Sequence, residues 1–308
     1  MKENSSLNDR IFAIVVSFNP DMQVLRRLIK SVIDQVERIL IVDNGSANIS
    51  EVGNEIEHEK KIDLIALGEN FGIAKAHNAG IERANEMGAS HVLIFDHDSL
   101  APSSLVDTLL QAEKDLLNRG EKIAAIGPSF FDPRTGNRYP ISRIEGFSLK
   151  NIYPNPAAQN TYIEASFLIS SGSLIRLSAL YDVGLMREDF FIDYVDIEWC
   201  LRAASRGYKC FAVPSTCMEH SVGDKRLRVF GREISIHSPL RRYYLARNSI
   251  LMMKLKYVPW KYKARELFYS LSRVIVFLCF VSNKIKYLKY ISIGWAHGIA
   301  GRGGKFNA

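Results

Sequence analysis

Two hydrophobic periodicities alternate through the first 130 residues. Short, β-branched and almost continuously apolar runs occupy 12–17, 38–42, 62–67, 91–95 and 123–127. Between them, 22–36, 73–87 and 103–118 repeat apolar residues at helical spacing. Runs apolar on both faces predict buried strands, and their alternation with helices predicts βαβ units and a mostly parallel sheet. Pro102-Ser103-Ser104, after the fourth run, suits a helix start. From 130 to 156, Pro, Gly, Asn and Arg predict a long surface excursion. Order returns over 162–170, then a helix is expected at 197–206 and a strand at 209–213. Beyond Pro239 the pattern is helical, aromatic and basic, and it closes on the Gly-rich 301–304.

The longest purely apolar stretch is 274–281, far short of the ~20 residues a helical span needs, so no segment is expected to cross a bilayer. The apolar run at 11–16 is too short for a signal core, so no export signal is expected either. Cys200, Cys210, Cys217 and Cys279 have no framework spacing and read as reduced thiols. No close Cys pair supports zinc at Cys210, Cys217 and His220.

Charge divides the 308-residue chain. Residues 225–308 hold 18 Lys and Arg against 2 Asp and Glu, a balance of +16, while the rest carries −9, giving the net +7. The expectation is that acidic body and basic tail perform separate tasks.

Ligands of an open α/β sheet collect at the carboxyl ends of its strands. Four successive exits carry short polar, acidic or glycine chemistry: Ser17-Phe18-Asn19-Pro20, Asp43-Asn44-Gly45-Ser46, Glu69-Asn70-Phe71-Gly72 and Asp96-His97-Asp98. Each alone is ordinary turn composition; four in a row point to a site. Asp96 and Asp98 can meet a hard divalent cation whose shell is completed by substrate phosphates, whereas a helix cap needs only one acid. Neither G-x-G-x-x-G after a strand nor G-x-x-x-x-G-K-[ST] occurs, which argues against dinucleotide oxidoreductases and P-loop enzymes. The second acidic cluster, Asp193-Tyr194-Val195-Asp196-Ile197-Glu198, stands at the mouth of a helix, where an acid is either a cap or a general base. A lone His such as His220 is more often structural than a ligand, and the nearby Gly and the acidic site upstream raise the ligand reading.

Together these residues resemble the family 2 glycosyltransferases, and among them the bacterial rhamnosyltransferases, over about residues 10–304. The first strand with its exit, residues 13–19, is similar to the family's opening strand, which places Ser17 and Asn19 on the donor side. Asp43-Asn44-Gly45-Ser46 matches the segment whose Asp holds the nucleobase. Asn70-x-Gly72 with Ala76-His77-Asn78-x-Gly80 matches the motif flanking the donor pyrophosphate, and Asp96-His97-Asp98 matches the metal-binding D-x-D. Ser171-Gly172-Ser173 resembles the acceptor-side turn; Asp193 and Trp199 are assigned to that side as well. Asp196 takes the second place of the family's Glu-Asp base motif, with Val195 where Glu is common, so Asp193 remains a rival base. His220 resembles a later His that reaches metal or diphosphate.

The resemblance implies a GT-A fold: a Rossmann-like, mostly parallel sheet flanked by helices over 1–238, with a donor half at about 10–128 and an acceptor half at about 129–238. A basic helical region would follow at 239–308. It further implies inverting transfer of a sugar, L-rhamnose from dTDP-L-rhamnose in the favoured case, to a hydroxyl of a lipid-linked or oligosaccharide acceptor of a cell-surface polysaccharide such as O-antigen. Mg²⁺ or Mn²⁺ would be held by Asp96, Asp98 and His220. A hexosyl- or N-acetylhexosaminyltransferase is the alternative. A sugar nucleotidyltransferase should carry a Gly-rich, basic loop where Ser17-Phe18-Asn19-Pro20 stands, and a non-enzymatic membrane module leaves the acidic exits unexplained. The tail mixes Lys and Arg with Trp, Tyr and Phe, which suits an anionic bilayer surface. No RNA-binding motif accompanies it, so nucleic acid is not expected as a partner. The enzyme is expected in the cytoplasm, peripheral on the inner membrane.

Overall fold

The computed structural model describes residues 9–155, 161–219, 225–229, 232–281 and 283–307. In chain order the elements are β1 (Ile11–Ser17), α1 (Met22–Val32), β2 (Arg38–Asp43), α2 (Ile49–Ile56), β3 (Ile62–Ala66), α3 (Ile73–Glu86), β4 (His91–Asp96), α4 (Leu105–Asn118) and β5 (Ile123–Phe131). Then follow β6 (Ile141–Glu145), β7 (Ser148–Ile152), β8 (Ile163–Ala165), β9 (Ser173–Arg176), α5 (Leu177–Val183), a 3₁₀ turn at Glu188–Phe190, α6 (Val195–Ser205) and β10 (Lys209–Glu219). The chain closes with β11 (Lys225–Val229), β12 (Arg232–Ile236), α7 (Pro239–Lys254), α8 (Trp260–Phe280) and α9 (Lys284–Ile299).

Eight strands form one sheet in the order β3-β2-β1-β4-β9-β5-β10-β8. Its pairings are parallel except those made by β8 and β9. Side chains of a strand alternate between faces. In β1, Phe12, Ile14 and Val16 enter the core shared with α3 and α6, while Ile11, Ala13 and Val15 enter the core shared with α1 and α4. Burial on both faces explains the apolar runs that marked these strands.

The expected elements of the first 130 residues are present, with adjustments. The first helix stops at Val32, because Gln35 N–H bonds back to Val32 O and its side chain spans Ser31 O and Pro102 O. The apolar pattern gives no sign of α2, since only Val52 and Ile56 of its eight residues are buried. The excursion after 130 contains the β6–β7 hairpin. The 162–170 run yields only the short antiparallel β8, while the unforeseen β9 inserts antiparallel between β4 and β5.

The basic region is three helices. Ser238 caps α7, with Pro239 in its first turn, as both residue types favour. Gly294 and Gly298 let α9 press on α7: a Cβ at Gly294 would lie 2.6 Å from Tyr243 O, and one at Gly298 2.6 Å from Ile250 Cβ. The four cysteines are free. Among the described residues no helix is long and apolar enough to cross a membrane.

Candidate active site

The sheet runs to β3 on one side of β1 and onward from β4 on the other, so the chain direction switches between β1 and β4. Ligands bind outside the carboxyl ends of strands at such a point. Register fixes the neighbours there: Val16 faces Asp96, and Ser17 faces Asp43. A cavity of about 1050 Å³ opens at this edge. Phe18, Asn44, Asn70, Gly72 and His77 from the first half of the chain line it together with Asp96, Asp98 and Asp196, and so do Arg241, Arg265 and Arg273 from the C-terminal helices.

The donor-side loops hold one another. Asp43 is fully buried; its Oδ1 accepts from the backbone N–H of Gly45 (3.1 Å) and Ser46 (2.9 Å), and its Oδ2 from Ser17 Oγ (3.2 Å). Asn19 Oδ1 accepts from Ala47 N–H at 2.8 Å. Asn44 Oδ1 accepts from Phe71 N–H at 2.9 Å, and Asn70 Oδ1 from Gly72 N–H at 3.0 Å. Gly72 has φ +90°, and a Cβ there would sit 2.4 Å from Phe191 O, so no other residue fits this approach. His77, one turn into α3, is 1% exposed, and neither ring nitrogen has a protein partner. Burial drives its pKa down to about 4, which leaves a neutral imidazole with an unused N–H facing the cavity. Unpaired buried polar groups are costly unless a ligand meets them.

The carboxylates crowd each other. Burial, then the charges of Asp98 and Asp196, push Asp96 up to about 7 against the pull of Arg241. Burial likewise raises Asp196 to about 6, with the charge of Asp193 adding to it and the N–H of Ile197 opposing. Among the described residues no three His, Cys, Asp or Glu side chains gather as a metal cage. Asp96 and Asp98 still fit a Mg²⁺-type ion, which takes one or two carboxylates and leaves the remaining positions to phosphate oxygens and water. A cation shared between them would offset the crowding that raises Asp96.

Asp193 sits on a strained loop that leads into Asp196 in the first turn of α6. Phe191, Asp193 and Tyr194 all have φ between +62° and +63°, an uncommon region for non-glycine residues that needs support from elsewhere. The C-terminal helices provide it. Asn248 Nδ2 donates to the carbonyls of Phe190 (2.9 Å), Ile192 (2.7 Å) and Asp193 (3.1 Å). Arg247 donates to Phe190 O at 2.8 Å, Tyr244 stacks on Phe191 at 4.9 Å, and the Tyr194 hydroxyl donates to Glu266 of α8. Arg241 grips both oxygens of Asp193 at 3.0–3.3 Å. That pairing occupies Asp193, whereas Asp196 accepts backbone N–H groups, among them that of Ile197; both line the cavity.

Several expected site residues are therefore placed differently. Asp43, Ser17 and Asn19 hold loops rather than line the cavity; Phe18 and Asn44 reach it instead. Asn78 ties α3 to the backbone of Met186, accepting its N–H at 2.9 Å and donating to its carbonyl at 2.9 Å. Ser171 is buried behind Asp96, bonded to Ser99 at 2.5 Å, and Gly172 packs on Pro128 and Met218; Ser170 is the neighbour that lines the cavity. Trp199 is a core residue, 1% exposed, with its indole N–H on Gly184 O at 2.9 Å. Val195, where the resembled family often has Glu, is buried. His220 lies outside the described residues. The basic tail is not apart from the acidic body, as the charge division suggested, because Arg241, Arg265 and Arg273 form a wall of the same cavity. Composition flagged these arginines only as tail charge.

Comparison with known proteins agrees with this architecture. Residues 12–184 match the profile of Glycosyl transferase family 2. The chain is 36% identical over 304 residues to the dTDP-rhamnosyl transferase RfbF of Shigella flexneri, covering 98% of this chain and 100% of the relative. It is 25% identical over 268 residues to N-acetylglucosaminyl-diphospho-decaprenol L-rhamnosyltransferase of Mycobacterium tuberculosis, covering 78% and 85%. Its fold is similar to that of S. aureus TarS in complex with UDP-GlcNAc, with a TM-score of 0.58 at 13% identity over 94% of this chain and 81% of that one. With its helix-flanked, mostly parallel GT-A sheet, the chain is a glycosyltransferase and belongs to family 2.

Proposed function

We propose that the protein transfers L-rhamnose from dTDP-L-rhamnose, with inversion, to a hydroxyl of a lipid-linked glycan acceptor, such as an O-antigen precursor. The observation that carries this is the meeting of Asp196 with Asp96 and Asp98 in one cavity, which sets a base beside carboxylates suited to a metal-bound diphosphate. The full-length similarity to RfbF supports the choice of donor. Phe18 and Asn44 would border the nucleobase. The neutral His77 would face the diphosphate, while the first N–H of α3, at Ile73, is already given to Phe191 O.

Asp196 takes the proton of the acceptor hydroxyl as its oxygen attacks the anomeric carbon. The bond from that carbon to the diphosphate oxygen breaks, and the nucleoside diphosphate leaves with the electron pair. A base with pKa near the working pH is effective in such a step. Asp98 and Asp96 would hold Mg²⁺ or Mn²⁺, which when bound neutralises charge on the leaving diphosphate.

A thermal-shift panel of dTDP-L-rhamnose, UDP-glucose and UDP-GlcNAc with Mn²⁺ tests the donor. Selective stabilisation by dTDP-L-rhamnose is expected. Selective response to a UDP-sugar would replace rhamnose by a hexose or N-acetylhexosamine.

Contact with the cytoplasmic face of the inner membrane is the second part of the proposal. Leu267, Phe268, Leu271, Ile275 and Leu278 form an exposed apolar stripe along the outer side of α8. Lys261, Lys263, Lys284, Lys286 and Lys289 lie near it in sequence, a composition suited to an anionic interface. Because α8 also walls the cavity, deleting 239–308 would damage the site. The cleaner test is flotation of Leu271→Glu/Ile275→Glu on vesicles containing phosphatidylglycerol. Flotation equal to the unaltered protein would remove this part of the reading.

A further inference from the structure

A second cavity, of about 550 Å³, lies between the β6–β7 hairpin and the outer side of α8. Phe147 and Leu149 of the hairpin segment face Ala264, Phe268 and Tyr269 of the helix across it. Leu149 and Arg265 line both this groove and the catalytic cavity, so the two spaces adjoin there. Phe147 and Phe268 are 57% and 66% exposed, a large apolar surface to leave in water beside an active site. The hairpin is braced on the helix by an edge-to-face contact of Phe147 with Trp260 at 4.7 Å and by Lys261 Nζ 5.2 Å from the Phe147 ring.

The chemistry along the groove is graded. Its outer end continues into the apolar stripe of α8. Its inner end meets Arg265, whose guanidinium lies 4.5 Å from the Tyr269 ring centroid and whose nearest acidic partner, Glu266, is 4.0 Å away. Phe147, Leu149, Ala264 and Phe268 give the groove its apolar lining, and Ser148, Asn151, Arg265 and the Tyr269 hydroxyl are its hydrogen-bonding groups. A flexible apolar chain would cover the rings, and an anion at its end would meet Arg265, away from the carboxylates of the donor side.

The geometry points to this groove as the seat of the first isoprenoid units of the acceptor's lipid carrier, with the carrier's diphosphate at Arg265. This deepens the lipid-linked acceptor reading above and rests on it. The consequence is a division of the two diphosphates: the donor's lies against the Asp96/Asp98 side, and the acceptor's against arginine on α8.

Farnesyl diphosphate, farnesol and inorganic pyrophosphate serve as probes, titrated into the full-length protein by calorimetry. Farnesyl diphosphate should bind at least about tenfold tighter than either fragment, the scale of one or two buried methylenes or one charge contact. Ala264→Trp, which fills the groove from an exposed helix position, and Phe268→Ser should each weaken it by a similar factor. Arg265→Gln should weaken farnesyl diphosphate but not farnesol. Donor affinity should be unchanged in Ala264→Trp, which separates groove loss from misfolding. Undiminished farnesyl diphosphate binding in Ala264→Trp would overturn the assignment. So would loss of vesicle flotation alone, which would make the face a bilayer contact, or loss of self-association alone, which would make it a contact between copies. If the protein binds nucleotide sugar but not farnesyl diphosphate, the groove proposal fails and the donor reading stands. If it binds neither, the functional reading itself fails.

Discussion

Asp96 and Asp196 face the same cavity, yet they are held there by different means. Asp96 ends a parallel strand whose register against β1 is fixed by two buried faces, and the neighbouring donor loops are tied by their own Asp, Asn and Ser side chains. Asp196 opens a helix after three positive-φ residues, and that loop is held from outside by Arg241, Tyr244, Arg247, Asn248 and Glu266, 45 or more positions later in the chain. The donor-side loops bond among themselves, and α3 also leans on the 186–191 segment through Asn78 and the close approach of Gly72 to Phe191. The loop that leads into Asp196 depends on the basic C-terminal helices, so the region that composition set apart as a tail helps to shape the candidate site.

The largest effect should come from the base. Asp196→Asn is expected to lower the transfer rate by about 10²–10⁴-fold, the usual scale for general-base loss, with donor binding by calorimetry unchanged. Near-wild-type transfer would move the base elsewhere, with Asp193 next to test. On the donor side, Asp98→Ala should abolish metal-dependent turnover with no change in fold by circular dichroism; full wild-type activity in EDTA would overturn the metal assignment.

Asn248→Ala probes the outside support. It strips three hydrogen bonds from loop carbonyls, a cost of about 1–3 kcal/mol. It should lower kcat while leaving donor KM in place, because Asn248 touches the base loop and not the donor loops. An equal loss in donor affinity would mean that the two halves are not independently held.

Glu113 supplies a contrast at the opposite, amino-terminal end of β4. Burial raises its pKa, but hydrogen bonds and charges of His91 and Arg176 outweigh that and leave it lowered. A lowered carboxylate pKa contributes stability above the unfolded value, and that contribution is lost as pH falls through the folded one. Glu113→Gln should therefore cost about 1–3 kcal/mol at pH 7 and progressively less in acid, with kcat per folded molecule intact. An activity loss beyond the unfolded fraction would break the separation of ends.

The smallest effect concerns Asp196 again. Its folded pKa of about 6 lies above the ordinary 3.8, so the native state binds the extra proton. Ionising it costs stability that grows as pH rises from about 4 to about 6 and is constant above. Asp196→Asn should melt higher than wild type at pH 8 and no higher at pH 3.5. A Tm difference independent of pH would show that burial does not strain this carboxylate.

Much of this was legible in the amino-acid order. Apolar runs with β-branched residues marked β1 to β5, because strands buried on both faces leave no polar alternation to read. The short acidic and glycine-bearing exits marked the donor edge, because a parallel sheet brings all its carboxyl ends to one side. Those inferences are local, and so is the D-x-D. Other roles depended on which group wins a shared contact. The resemblance points Asp43 toward a nucleobase, and in the fold its Oδ1 also takes the N–H groups of Gly45 and Ser46. Ser171 and Gly172 sit one and two residues beyond the lining Ser170, just ahead of β9, which inserts antiparallel beside β4. Trp199 stands in the same cluster as Asp196, yet the helix turns it inward to Gly184.

The sequence by itself determined the α/β class and the strand exits, with Asp96 and Asp98, that border the cavity, since periodicity and turn chemistry act between near neighbours. Only the tertiary structure decided that α7 and α8 return over the carboxyl end of the sheet. There they brace a strained base loop and add arginines to an acidic cavity. That decision rests on packing between residues far apart in the chain, including the close approach of α9 to α7 at Gly294 and Gly298, which no local pattern encodes.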